Sequence, residues 1–128
     1  MSRIYCILLI LFSSTSFAKW EGGYLSDDGK MSLYYDNESI DINYPLFRIW
    51  SLMDFNSPIN KNINSAKILT EYNCEESKRR VAHMISYSKN MGKGIIISEA
   101  TASQEWGKFV RNKGSSSTNV FNTICGKE

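Results

Sequence analysis

Leu46-Phe47-Arg48-Ile49-Trp50-Ser51-Leu52-Met53-Asp54-Phe55, entered from Pro45, carries the pattern that sets the architecture of this chain. Large apolar side chains fall on both of its parities, Phe47, Ile49, Met53 and Phe55 on one and Trp50 and Leu52 on the other. Such a run reads as a strand covered on both sides.

On the N-terminal side the period stays at two. Trp20 to Ser26 reads as a strand, and Asp27-Asp28-Gly29 as a hairpin turn. The following run sets Met31, Leu33 and Tyr35 against Ser32 and Tyr34, until Asp36-Asn37-Glu38 interrupts it. On the C-terminal side, Asn56 to Ser65 holds Pro58 and the asparagines 56, 60, 62 and 64, a composition that predicts a long loop. Ala66 to Cys74 then returns as a strand, with Ala66, Ile68, Thr70, Tyr72 and Cys74 on the apolar parity and Lys67, Glu71 and Asn73 on the other.

Past the charged turn Glu75-Glu76-Ser77-Lys78 the alternation is less clean, and Arg79 to Ser88 fits a strand or a helix. A strand is preferred, because Val81, His83, Ile85 and Tyr87 then share a face and Asn90 to Gly94 forms a hairpin into Ile95-Ile96-Ile97. The period changes near the end of the chain. Ser115-Ser116-Ser117 offers N-cap hydroxyls, Val120, Phe121, Ile124 and Cys125 fall on one helical face, and Gly126 suits the C-terminal cap. Trp106, Phe109 and Val110 also fit a helical turn. The fold class expected is α+β: an antiparallel sheet of roughly six strands with one short C-terminal helix tethered to it.

Residues 1–18 read as a signal peptide. Arg3 supplies the positive end, Ile4 to Phe12 is too short to span a bilayer, and Ser16-Phe17-Ala18 places small residues where a signal peptidase cuts. The expected mature domain is residues 19–128, exported to the periplasm or the cell surface, with no second long apolar stretch. Once Arg3 is removed, 14 lysines and arginines face 13 acidic residues, so net charge selects neither nucleic acid nor an anionic membrane. Of the three cysteines, Cys6 leaves with the signal. Cys74 and Cys125 can pair in only one way in an oxidising compartment, and a loop of about 50 residues closed by that bridge removes roughly 4 kcal/mol of entropy from the unfolded chain. A helix this short needs such a tether.

The chemistry-bearing residues do not assemble an enzyme. His83 is the sole histidine and reads as half-buried and hydrogen-bonded; no Ser stands in a nucleophile turn, and Asp36, Asp41, Asp54 and Glu71 offer no selected acid and base pair. Neither a metal site nor a cofactor is expected. Lys78-Arg79-Arg80 is the one basic run, and Arg79 and Arg80 are its candidate binding residues, set against the reading of a solvated strand edge that resists aggregation. Tyr34, Tyr35, Tyr44 and Trp50 are candidates for an aromatic contact surface, set against core packing.

Several of these residues form an ordered set along the chain. Trp20, Asp28-Gly29, Tyr34-Tyr35-Asp36 and Ser39-Ile40 come first, then Arg48-Ile49-Trp50, Met53-Asp54 and Glu71-Tyr72-Asn73-Cys74, and finally Met91-Gly92, Trp106 and Cys125. That set resembles the bacterial surface-adhesin protein E family. The resemblance implies an antiparallel sheet with a disulfide-tethered C-terminal helix. It also implies a non-enzymatic surface role: binding of host extracellular-matrix or serum proteins, with laminin and vitronectin the first to test, and self-association as a homodimer. The best-known members are lipoproteins, whereas Cys6 here has no small-residue box before it. Relatives often carry a proline just before Ser115, and this chain has Gly114 there. Only Cys74 and Cys125 carry over as family residues. Two other function classes stand beside the adhesin: a periplasmic structural module, and a small-ligand carrier, such as one for haem, with His83 or a tyrosine as axial ligand.

Overall fold

Ser26, Asp28 and Gly29 reverse the chain between its first two strands. The Ser26 N–H donates to Met31 O at 2.8 Å, Asp28 Oδ1 accepts from Ser26 Oγ and the Lys30 N–H, and Gly29 takes the left-handed φ of +71° that a side chain would oppose. In the computed structural model, which describes residues 19–60, 62–101, 105–108 and 115–126, this hairpin begins an antiparallel sheet. Its strands are β1 (Trp20–Leu25), β2 (Met31–Asp36), β3 (Asp41–Asn43), β4 (Leu46–Ile59), β5 (Ile63–Asn73), β6 (Lys78–Tyr87), β7 (Ile96–Thr101) and β8 (Gly107–Lys108). Six lie in the order β1-β2-β4-β5-β6-β7, while short β3 pairs with β4 and short β8 with β6.

The expected strand from Leu46 is the long central one. Its register with β5 runs from Leu46↔Asn73 to Asp54↔Ser65, so Phe47, Ile49, Ser51 and Met53 share a face with Tyr72, Thr70, Ile68 and Ala66. Arg48, Trp50 and Leu52 share the opposite face with Glu71, Leu69 and Lys67. The long loop expected over Asn56 to Ser65 is not there. β4 continues to Ile59, Ile59 pairs with Ile63, and Asn60 turns the chain at φ 43°. Ladder hydrogen bonds are made by the backbone, so polar side chains do not prevent them, and asparagine tolerates the left-handed turn.

The segment from Arg79 is a strand, as preferred, but its face pattern needs correction. Thr70 pairs with Val81 while Leu69 pairs with His83, so Ala82 is an extra residue that bulges β6. Val81 therefore faces with Thr70, whereas His83, Ile85 and Tyr87 lie on the other side. The three isoleucines enter β7 but stay outside: Ile95, Ile96 and Ile97 are all exposed. Trp106 immediately precedes β8 rather than making a helical turn; Phe109 and Val110 lie outside the described residues.

The helix α1 (Ser116–Cys125) covers one face of the sheet at its β1 and β2 end. Ser115 caps it, accepting from the Thr118 N–H at 3.2 Å. Val120 and Phe121 are fully buried and Ile124 nearly so, packed with Leu33, Ile49 and Tyr72. Gly126 ends the helix for a reason the sequence did not give: its φ is −88°, not left-handed, but a Cβ there would stand 2.5 Å from Asn122 O. The Cys74–Cys125 disulfide closes the end of this layer, with the two Cα atoms 5.6 Å apart. No helix of the described residues is long and apolar enough to cross a membrane.

Candidate functional site

The sheet face away from α1 carries Arg48, Trp50, Leu52, Lys67, Leu69, Glu71, Arg80 and His83 by the alternation just described. The turn Asn90–Gly92 lies over its Leu52 end, and Trp106 stands against Arg80 at the other. Asp54 fixes that turn by accepting from the Met91 N–H at 2.8 Å and from Asn90 Nδ2 at 3.0 Å, and Ser65 Oγ accepts from the Gly92 N–H at 2.8 Å. Gly92 sits at φ +69° with its Cα against Lys67 and Leu52, where a Cβ would meet Lys67 Cε at 2.8 Å. Among the described residues, the other end of the face is otherwise open beside Trp106.

At that open end Glu71 is buried and takes two guanidinium groups. Arg48 donates from Nη2 to Oε1, while Arg80 donates from Nε and Nη2 to Oε2 at 2.9 and 2.8 Å. Arg80 also stacks 4.5 Å above the centre of the Trp106 ring, which holds its plane. Burial by itself pushes the Glu71 carboxyl up, but the hydrogen bonds and charges of Arg48 and Arg80 outweigh it and hold the group below its ordinary value of 4.5.

Between the two ends stands Trp50. Its ring meets the His83 imidazole edge to face at 5.9 Å, and it forms a wall of two clefts. The larger, about 560 Å³, is floored by Leu69 and Ala82 and bounded by Arg48, Arg80 and His83. The smaller, about 260 Å³, lies toward Trp20 and Tyr87, with Lys67 Nζ 5.9 Å and 5.1 Å from those two ring centres. His83 is half-buried, its Nε2 2.8 Å from Glu99 Oε1 and its Nδ1 3.0 Å from Thr101 Oγ1. Either nitrogen would have to release a partner before it could reach a metal. No cluster of three or more His, Cys, Asp or Glu suited to a metal ion occurs among the described residues.

The two arginines singled out in the sequence part company here. Adjacent on β6, they point to opposite faces: Arg80 lines the larger open cleft with Glu71, and exposed Arg79 pairs across from Tyr72 on the helix side. Of the aromatic candidates, Trp50 and Tyr34 lie on the open face, Tyr35 packs toward the helix, and Tyr44 is exposed in the turn before β4. Sequence reading missed Glu71, taken as a solvated strand carboxylate. Its partners lie 23 and 9 positions away on two other strands, so no local pattern in the sequence signals the meeting.

Glu71 makes a stability prediction. Its carboxyl titrates lower in the folded chain than in the unfolded one, so its contribution is complete above about pH 4.5 and is lost as pH falls through the folded value. Glu71→Gln is expected to cost about 1–3 kcal/mol near neutral pH, less than a fully buried pair because both guanidiniums are partly solvated. Urea unfolding from neutral to acidic pH should show the wild-type curve falling toward that of Glu71→Gln; parallel curves would refute the assignment.

Comparison with known proteins places these features in a family. The family model for surface-adhesin protein E matches residues 20–126. Solved structures of Haemophilus influenzae protein E share the fold. The selenomethionine form superposes with a TM-score of 0.58 at 15% identity, covering 87% of this chain and 92% of that one. Crystal form II gives 0.55 at 14% identity, covering 87% and 95%. No curated protein sequence matches the chain.

Proposed function

The chain belongs to the surface-adhesin protein E family, and from that membership we propose that it is exported, loses residues 1–18, and binds a host extracellular-matrix or serum protein through the open face of its sheet. The observation that carries this reading is the combination on that face: half-buried Trp50 flanked by Arg48 and Arg80, both held in place by Glu71. Tryptophan and arginine dominate the energetics of protein interfaces because each brings large contact area or several directed donors. Guanidiniums already ordered by a buried carboxylate lose little side-chain entropy when a partner arrives. The action is contact rather than catalysis, and it is spread over several residues.

A solid-phase or biosensor assay against laminin and vitronectin tests it, with each variant checked by circular dichroism. Arg80→Gln and Trp50→Leu are each expected to weaken binding about tenfold or more, as interface anchors do. Arg79→Gln should have the smaller effect, and Lys30→Ser, in the distant β1–β2 turn, should have none. Equal losses for Arg79→Gln and Arg80→Gln would move the contact off the open face. Saturable binding to neither protein, with the fold intact, would favour a periplasmic structural module.

A further inference from the structure

We propose that the larger cleft on the open face binds a sugar bearing a carboxylate, an acidic unit of a host glycan, with Arg48 and Arg80 holding the acid group and the Trp50 ring packing against the sugar. This inference rests on the reading of the open face as the contact surface and names the chemistry it selects.

Charge comes first. Two guanidiniums share the single carboxylate of Glu71, so the charged groups that line the cleft carry one positive charge in excess over an apolar floor, with Glu99 behind His83 and Asp41 across the strand from Arg48 as the neighbouring acids. Each guanidinium carries five N–H donors. Arg48 commits one of its nitrogens to Glu71 and Arg80 commits two, and among the described residues neither arginine makes another hydrogen bond. Both side chains remain partly exposed, at 48% and 34%, so the remaining donors reach solvent. An incoming carboxylate can therefore bridge the pair without displacing Glu71. Charge-assisted bonds of this kind are about twice as strong as neutral ones.

The backbone decides between a sugar and an acidic peptide. Sheets recognise extended peptides along a free edge, by main-chain hydrogen bonds. This cleft lies in the middle of a face. β4 is paired along one side to β5 and along the other to β2 and β3, with the Trp50 N–H between them donating to Ser39 Oγ at 3.1 Å. The ligand meets side chains alone: an indole ring, apolar Leu69 and Ala82, two guanidiniums, and the imidazole of His83, oriented by Glu99 and Thr101. That set suits a compact ring with an acid group and hydroxyls. A volume of about 560 Å³ falls within the range of small-ligand sites, roughly 300–1,000 Å³.

The test titrates the oxidised protein, followed by NMR of the indole and guanidinium N–H signals, with N-acetylneuraminic acid and with glucuronic acid, each beside its methyl ester, and with a short acidic peptide. At least one free acid is expected to give saturable shifts at Trp50, Arg48 and Arg80, with its ester about tenfold or more weaker because the charge-assisted bonds are lost. Arg48→Gln, which leaves the Arg80–Glu71 pair in place, should weaken the acid by a similar factor with an unchanged fold. Equal binding of acid and ester, tighter binding of the peptide, or no saturable shift with either acid would overturn the proposal. Matrix protein stripped of its acidic sugars separates the two readings. If it binds as well as the untreated protein, the sugar inference fails and the adhesin reading stands. If neither form binds, the adhesin reading fails, and the sugar titration still decides this one.

Discussion

Phe121→Ala is expected to remove about 3–5 kcal/mol of stability, the range for deleting a fully buried aromatic ring. The reason lies in how one face of the sheet is covered. Phe121 is wholly buried, its ring edge to face with Tyr72 at 5.7 Å, between Val120 and Ile124 on its own helix and Leu33 and Ile49 on the sheet. Alanine would leave a cavity that a disulfide-held helix and a paired sheet are poorly able to close. A small domain has only about 5–15 kcal/mol in total, so the variant should approach the folding threshold. Phe121→Leu retains most of the volume and should lose less. Urea unfolding followed by tryptophan fluorescence measures both, and a loss below about 1 kcal/mol for Phe121→Ala would mean that the helix does not carry the core.

Removing the disulfide should have a comparable effect, distributed differently. The bridge joins residues 51 apart, and the chain-entropy model assigns such a loop about 4 kcal/mol. Cys74→Ala with Cys125→Ala, or simple reduction, is expected to release α1 first. A helix of 10 residues does not persist in water without tertiary support, whereas β4 and β5 keep their ladder and their apolar side chains. In hydrogen exchange, amides of Val120 to Ile124 should lose protection while those of Ile49 to Leu52 keep theirs. Equal protection in oxidised and reduced protein would show that packing alone holds the helix. Phe121→Ala and reduction act on the same docking, so their costs should not add.

The ordered motifs that resemble the family looked unconnected along the chain, and the structure brings several of them together. Met53-Asp54 meets Met91-Gly92 through the Asp54 carboxylate, Arg48-Ile49-Trp50 meets Glu71 across the β4–β5 ladder, and Trp106 lies under Arg80. Each motif alone reads as strand or turn. Their residues are explained by partners far away in sequence, which a short motif cannot display.

Local pattern was enough for the rest. Alternation marked the main strands, the two cysteines beyond residue 18 admitted one pairing, and a serine cap with an i, i+3, i+4 apolar stripe marked α1, because each of these is written within a few residues or is a matter of counting. Register and neighbour identity belong to the tertiary structure. Period-two alternation says which residues share a face but not which strand lies alongside, and one extra residue exchanges the faces. Ala82 is that residue here, putting Val81 on the helix side and His83 beside Trp50. The Asn56 to Ser65 hairpin was hidden for a related reason: its polar composition describes side chains, while strand pairing is made by the backbone. Glu71 became the centre of the candidate site only when β4 and β6 came to lie on either side of β5, each placing an arginine against a carboxylate that burial would otherwise have made costly to keep charged.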